Sequence, residues 1–248
     1  MQIFDKEPSD WQDLQVKVAK LFADLNFSVE IEKDIKTIRE IVNVDVIANY
    51  NLFPKESILV ECKFWATAIP KTIIHAFRTV VGDYGANTGY IISRIGFQHG
   101  AHQAANNSNI VLMTFAEFQE AFKERYLSEA VNRLQKVGYP LRRYADWSES
   151  FFDKEIAKLL PEKKERLENL QQHYAIISLS SVNIGMYKSI LTGELDLESV
   201  DYTIGRVRQE IKDRQINCYS DYFDYLINLF TLGLQEFDNL FEKKLRKH

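Results

Sequence analysis

Two carboxylates and a lysine are spaced so that they can meet on two neighbouring predicted strands. In Ser57 to Phe64 (SILVECKF), strand alternation places Glu61 and Lys63 on one face, about 6–7 Å apart along the strand. Asp45 lies on the preceding predicted strand, and a hairpin centred on residue 53 would pair it directly with Glu61. Like charges that face each other destabilise a sheet. The pattern therefore predicts that a cation lies between the two carboxylates.

Such a carboxylate pair suits a hard cation. Mg²⁺ binds oxygen ligands, typically one or two carboxylates together with waters and phosphate oxygens. Asp45, Glu61 and the backbone carbonyl of Cys62 would be its protein ligands. The metal would make an attacking water acidic and neutralise a scissile phosphate. Lys63 could orient or deprotonate that water. The spacing thus predicts phosphodiester hydrolysis, although a solvent-exposed strand face with an ordinary Glu–Lys pair has the same spacing.

Gln15 is a fourth candidate residue. The predicted helix at about residues 9 to 25 has apolar residues at steps of three and four along one face. Gln15 interrupts this apolar stripe between Trp11 and Val18, so we expect it to face inward. An amide in that position could hold a metal-bound water.

The elements that must position these residues predict an α/β fold. After the first helix, strands are expected at about 27 to 31, 41 to 48 and 57 to 64. They are followed by a helix from 70 to about 81, a strand at 89 to 93, a helix at 98 to 107 and a strand at 110 to 113. Thr114 is expected to cap a final helix, with Glu117 completing a capping box. The αβββαβαβ order predicts a mixed sheet flanked by helices, and residues 1 to 127 form this predicted domain.

The rest of the chain has a different character. Residues 128 to 248 have few strand-like runs, and their periodicity is helical. Aromatic residues recur there at mostly helical steps, which is more typical of a core or an interface than of a base-stacking platform. The sequence therefore predicts a mostly α-helical C-terminal domain for packing, dimerisation or partner binding. These aromatics are Phe151, Phe152, Tyr219, Tyr222, Phe223, Tyr225, Phe230, Phe237 and Phe241.

Composition excludes several classes of protein. The 248 residues are 46% hydrophobic, enough for a packed core and too apolar for a disordered chain. No run approaches the roughly 18 apolar residues of a membrane helix, and the first ten residues lack the pattern of a signal peptide. Cys62 and Cys218 are the only cysteines, too few for a disulfide scaffold or a four-thiolate zinc site. We therefore expect a cytoplasmic protein without membrane contact.

Charge argues against DNA binding through a broad basic surface. Residues 1 to 130 carry 13 Lys and Arg against 17 Asp and Glu, a net charge of −4. DNA binding would thus need metal ions or a local basic patch. Lys71, His75 and Arg78 can line one helix face and contact phosphates, although a solvated helix face has the same spacing. As alternatives, His75 could be a general base, and Gln98 could either cap the following helix or contact DNA.

The segment from Trp11 to Phe118 resembles the restriction-endonuclease-like superfamily with the PD-(D/E)xK signature, specifically its Mrr-like branch. The resemblance implies that Asp45, Glu61 and Lys63 take the catalytic positions of the family. It also implies that Gln15 takes the first-helix position often filled by Glu or Gln. The matching pieces, in order, are WQDLQVKVAKLF, NVDVIA, ILVECKFW, HAFRTVVGDYGAN, GYIIS and GFQHGAHQAA.

The resemblance implies a Mg²⁺-dependent DNA endonuclease, with Mn²⁺ able to substitute, that acts in prokaryotic restriction or anti-phage defence. A structure-specific repair or junction nuclease is an alternative, because the same core serves both uses. A catalytically silent nuclease fold that acts as a binding module is a second alternative, and the intact Asp45, Glu61 and Lys63 argue against it. Because the domain is acidic, we expect a second copy or a partner protein, bound through residues 128 to 248, to supply most of the targeting to DNA.

Overall fold

The structure is a computed structural model that describes residues 1–146, 152–184, 196–211 and 216–245. Two compact units are present, residues 2–126 and residues 127–248 together with Met1. No helix in the described ranges is both long and apolar enough to cross a membrane. The elements are α1 (Trp11–Asp24), β1 (Ser28–Lys36), β2 (Ile41–Tyr50), β3 (Glu56–Lys63), α2 (Lys71–Tyr84), β4 (Thr88–Ser93), α3 (His99–Ala105), β5 (Ile110–Thr114), α4 (Phe115–Ala145), α5 (Asp153–Ile156), α6 (Pro161–Asn183), α7 (Leu197–Glu210) and α8 (Tyr219–Phe241).

The first unit is built on a five-stranded mixed sheet with the strand order β1-β2-β3-β4-β5. β1, β2 and β3 are antiparallel neighbours, whereas β3, β4 and β5 run parallel. Helices α2 and α3 supply the connections that parallel strands require. The predicted αβββαβαβ order is therefore confirmed. The β2–β3 register is also the predicted one, because Val46 pairs with Val60 and Ala48 with Ile58.

β1 is longer than the sequence predicted, ending at Lys36 rather than near residue 31. Its side chains are mostly polar and exposed, so hydrophobic alternation does not mark its second half. Pairing with β2 specifies the strand instead, from Ser28 opposite Asn49 to Lys36 opposite Ile41. Charged side chains on such an edge strand disfavour pairing with another chain.

α1 begins after Asp10, whose side chain accepts a hydrogen bond from the N–H of Asp13 at 2.8 Å. The helix buries one face against the sheet, and Phe22 packs there at 5.6 Å from Phe118 and 6.1 Å from Tyr90, measured between ring centroids. Trp11 departs from the predicted apolar stripe because it is 47% exposed. It lies in the first turn of the helix, where the buried face has only begun.

Helices α2 and α3 pack against the sheet and form a buried hydrophobic cluster with it. Gly89 permits close packing, because a Cβ there would lie 2.6 Å from the Val81 side chain and 2.9 Å from the ring of Phe77. α2 ends at Gly85, which has a φ of 82° that favours glycine. The cluster includes Leu59 and Ile91 from the strands and Ile74, Phe77, Val81 and Ala101 from the helices.

The predicted capping box at the start of α4 is present. The N–H of Glu117 donates to Thr114 Oγ1 at 3.2 Å, and the N–H of Thr114 donates to Glu117 Oε2 at 2.7 Å. These reciprocal bonds satisfy two backbone donors where β5 ends and the helix begins.

The second unit is helical, and its aromatic residues form a core. Tyr144 and Phe237 are stacked with ring centroids 5.1 Å apart. Gly233 lets α8 approach α6 closely, because a Cβ there would lie 2.8 Å from the ring of Tyr174. Phe151 lies outside the described residues. Core positions are thus found for the predicted aromatics Tyr219, Tyr222, Phe223, Phe230, Phe237 and Phe241, all of which are buried.

Candidate active site

Asp45 marks the point where the β2–β3 ladder ends. The last backbone pair is Val46 with Val60. Beyond this pair, the backbone N–H of Cys62 donates to the side chain of Asp45 instead of to a backbone carbonyl of β2, with a distance of 2.6 Å to Asp45 Oδ2. Asp45 Oδ1 accepts the side-chain amide of Gln15 at 2.9 Å. Donors from β3 and α1 therefore fix both oxygens of this carboxylate.

Gln15 faces inward as predicted and is only 4% exposed. Its amide contacts Asp45 directly, which makes it a residue that orients a carboxylate. A hydrogen bond from Gln15 to a metal-bound water remains a prediction.

Glu61 and Lys63 project from the last residues of β3 and form an ion pair with each other. Both side chains are partly buried, with 22% and 18% of their surface exposed. Burial raises the pKa of Glu61, the negative charge of Asp45 raises that pKa further, and Lys63 partly offsets the rise. The predicted direct pair of Asp45 with Glu61 is not part of the ladder, which ends at Val46 and Val60, but the two negative charges repel each other.

Cys62 is buried, as the strand alternation predicts, and burial raises the pKa of its thiol well above the usual range. A thiol in this state is a poor nucleophile, and the buried Cys62 side chain packs as a small apolar residue. Its N–H serves the site by donating to Asp45. The assignment of its backbone carbonyl as a metal ligand remains a prediction.

The chemistry of the donors fits a divalent cation. Asp45 and Glu61 are hard oxygen donors on adjacent strands. A cation bound between them would replace their mutual repulsion with attraction of both carboxylates to the metal. Because two carboxylates leave coordination positions open, waters and substrate oxygens can complete the shell, as Mg²⁺ prefers. Asp45, Glu61, Lys63 and Gln15 are called the carboxylate site below.

Three residues predicted to contact phosphates lie on α2. Lys71, His75 and Arg78 occupy one exposed side of α2, as their spacing predicts. Arg78 donates to the backbone carbonyl of Ala104 at 3.4 Å, so this side of α2 borders α3. No contact in the described residues joins any of the three to the carboxylate site, and their role in DNA binding remains a prediction.

Gln98 is the N-cap residue of α3, in agreement with one of its two predicted roles, but its side chain makes no capping hydrogen bond. Its amide instead donates to the backbone carbonyl of Ala68 at 3.4 Å. The physical reason is that this amide lies beside the chain entering α2, where an acceptor is available. The side chain is exposed, and contact with DNA remains a prediction.

Sequence reasoning missed two residues beside the carboxylate site. Trp65 is 41% exposed, and its ring centroid lies 5.8 Å from Lys63 Nζ. Arg94 follows β4 directly, and its N–H donates to the carbonyl of Lys63 at 3.0 Å. The available signal was topological, since the carboxyl ends of neighbouring parallel strands meet at one edge of the sheet.

Together, the mixed sheet and its flanking helices define a restriction-endonuclease-like α/β fold. Residues 7–122 match the Mrr_cat family model, which is described as a restriction endonuclease. This segment, which is just under half of the chain, is therefore similar to the Mrr-like restriction endonuclease family, and the match supports a restriction-endonuclease-like nuclease. The family generally uses divalent metals.

Two further comparisons add no information about function. No curated protein matches the chain. A solved structure described as a protein of unknown function, AF1548, is similar over 83% of this chain and 100% of that chain, with 13% sequence identity and a TM-score of 0.41.

Proposed function

We propose that the chain is a Mg²⁺-dependent endonuclease that hydrolyses phosphodiester bonds of DNA, with Mn²⁺ able to substitute. The observation that carries this proposal is the position of Asp45 where the β2–β3 ladder ends, bonded to the N–H of Cys62, with the paired Glu61 and Lys63 on either side of Cys62. These residues lie within the segment that matches the Mrr_cat family model. A setting in prokaryotic restriction or anti-phage defence is part of the proposal and rests on the family match.

Asp45 and Glu61 would hold the metal ion in this activity. When bound, Mg²⁺ would make water more acidic and neutralise charge on the scissile phosphate. Gln15 and the N–H of Cys62 keep the Asp45 carboxylate in one orientation, as donors behind metal ligands commonly do. Lys63 would orient or deprotonate the attacking water, or stabilise the charge that develops on the phosphate.

DNA contact by this domain would depend on local charge. Residues 1–130 carry 13 basic against 17 acidic side chains, so the domain as a whole does not attract a polyanion. We assign phosphate contacts to the exposed side of α2, through Lys71, His75 and Arg78, and a further DNA contact to Gln98. We further propose that targeting depends on a homodimer or a partner protein bound through the C-terminal helical region.

The test is a cleavage assay with supercoiled plasmid and Mg²⁺, using the full chain. Wild type should cut, and EDTA, Asp45→Ala and Lys63→Ala should each abolish cutting. Asp83→Ala is a matched control, because that carboxylate pairs with Arg39, and it should cut like wild type. Equal cutting by wild type and Asp45→Ala would contradict the assigned site.

A wild type that does not cut requires a second measurement. Calorimetry should then show binding of Mg²⁺ or Mn²⁺ that disappears in Asp45→Ala, as expected for a nuclease that needs a partner. A wild type that neither cuts nor binds these ions would contradict the proposed function.

A further inference from the structure

Arg94 follows the residue that pairs with Lys63 across the sheet. β3 and β4 are parallel, and their last matched pair is Lys63 with Ser93. The next residue, Arg94, donates its N–H to the carbonyl of Lys63 at 3.0 Å. Its backbone is therefore fixed to the end of the strand that carries Glu61 and Lys63, although Arg94 lies 31 residues further along the chain.

An aromatic ring supports the side chain of Arg94. The guanidinium carbon lies 4.6 Å from the ring centroid of Phe64, within the range of a cation–π contact. A stacked guanidinium presents its N–H groups at its edge, where they can donate to an anion in the bidentate geometry that suits phosphate. The Arg94 side chain is exposed to solvent, so an anion can reach it.

Among the described residues, no carboxylate pairs with this guanidinium. No ion pair within the described ranges involves Arg94, whereas Lys63 pairs with Glu61 and Arg39 with Asp83. In a domain with more acidic than basic residues, an exposed arginine that has no carboxylate partner among the described residues, and whose backbone is bonded to Lys63, is a local source of positive potential.

We propose that Arg94, supported by the ring of Phe64, binds a backbone phosphate of the DNA strand next to the phosphate that is cut. This inference rests on the proposed function and adds a substrate contact to it. It also supplies part of the local basic patch that the acidic composition of the domain requires.

The experiment measures DNA binding as a function of salt in the full chain. A fluorescently labelled linear duplex is titrated with protein in Mg²⁺ buffer, in a Lys63→Ala background that prevents cutting. Arg94→Ala should weaken binding about tenfold at low salt, as expected for a hydrogen-bonded charged contact. It should also reduce the slope of log affinity against log salt by about 1, the change expected when one phosphate contact is lost.

Two variants make this result specific. Arg39→Ala removes an arginine that is already paired with Asp83, and it should leave both the affinity and the slope unchanged. Arg94→Lys keeps the charge but not the bidentate geometry, so it should restore the slope while recovering only part of the affinity.

An Arg94→Ala variant with the affinity and slope of its background would overturn this inference, while plasmid cutting by wild type would leave the proposed function intact. An equal loss in Arg39→Ala would also overturn it, because the effect would then follow net charge alone. A chain that does not bind DNA would overturn this inference, and a wild type that also neither cuts nor binds Mg²⁺ or Mn²⁺ would overturn both proposals.

Discussion

In the C-terminal helical unit, two carboxylates accept hydrogen bonds from tyrosines, whereas in the carboxylate site one carboxylate faces another. Tyr219 donates to Asp201 Oδ1 at 2.9 Å, and Tyr174 donates to Glu236 Oε2 at 2.7 Å. A neutral donor stabilises each of these carboxylates without adding a second negative charge. Such pairs hold helices together.

The carboxylate site contains the opposite arrangement. Burial and the charge of Asp45 raise the pKa of Glu61, and the ion pair with Lys63 does not cancel the rise. Asp45 is held in place by Gln15 and Cys62, so it cannot turn away from Glu61. A fold that needed only stability would gain by replacing one of these carboxylates. Repulsion between two carboxylates that dedicated hydrogen-bond donors maintain therefore indicates a binding site for a cation.

Glu61→Gln should have the largest effect, and in opposite directions on activity and stability. Cleavage should fall on the order of a thousandfold, because a bound metal contributes several kcal/mol of transition-state stabilisation. In metal-free buffer at pH 7, the free energy of unfolding should rise. The raised pKa of Glu61 means that the native state loses stability as the pH rises from the unfolded value of 4.5 through the folded one, and glutamine does not titrate.

Urea unfolding in EDTA measures this change, with Glu236→Gln as the control in the helical unit. That variant weakens the acceptor of Tyr174, so its free energy of unfolding should fall by about 0.5–1 kcal/mol. If Glu61→Gln is also less stable than wild type at pH 7, Glu61 stabilises the fold as Glu236 does, and the carboxylate site does not differ from the helical unit in this respect.

Gln15→Met should have the next largest effect. It preserves the volume of a buried side chain but leaves Asp45 Oδ1 without its amide donor. Loss of a donor behind a metal ligand typically reduces metal affinity or activity about 10–100-fold. The cleavage rate as a function of Mg²⁺ concentration checks this, and the half-activating concentration should rise. Gln12→Met, on an exposed position of the same helix, should behave like wild type, and unchanged activation in Gln15→Met would show that Asp45 needs no orienting donor.

The sequence predicted those parts of the site that depend on local periodicity. The two-residue period of a strand and the turn at residues 51–55 fix which residues of β2 and β3 pair, so the approach of Asp45 to Glu61 was predictable. The helical period likewise placed Gln15 on the inward face. These inferences need only one hairpin and one helix.

Arg94 could not be found in that way. Its position beside Lys63 depends on parallel pairing between strands that a whole helix separates, and no local pattern specifies that pairing. The second half of β1 was missed for a related reason, since its polar residues are held by β2 and not by their own alternation. Trp11 was predicted to belong to the apolar stripe because helical periodicity indicates which face of the helix a residue lies on. It does not indicate how deeply that residue is buried.

Two tyrosines of α8 test whether a hydrogen bond from a tyrosine to a carboxylate stabilises the helical unit, and the expected effect is smaller. Tyr219→Phe removes the bond to Asp201 and should lower the free energy of unfolding by about 1 kcal/mol. Tyr222→Phe should leave it unchanged or raise it by up to about 1 kcal/mol, because the Tyr222 hydroxyl is buried and has no hydrogen-bond partner among the described residues. Chemical denaturation of both variants measures the difference. Equal losses would mean that the hydroxyl bonds do not distinguish these positions.

Glu117 is expected to show the smallest effect. It lies in the same unit as the carboxylate site, but it accepts hydrogen bonds from neutral donors, as Asp201 and Glu236 do in the helical unit. Hydrogen bonds from the N–H and Oγ1 of Thr114 lower the pKa of Glu117. Its stabilisation is therefore fully present above the unfolded pKa of 4.5 and is lost as the pH falls through the lowered, folded value.

Glu117→Gln should lower the free energy of unfolding by about 0.5 kcal/mol at pH 7, since solvent screens this exposed charge. The gap between the variant and wild type should close as the pH falls below the folded pKa, because wild-type Glu117 then becomes neutral as well. Glu61→Gln should show the opposite sign in the same series, with a stability gain that appears as the pH rises above 4.5. Unfolding curves of both variants across the acid range measure the two trends. Matching signs would mean that Glu61 is a structural carboxylate like Glu117.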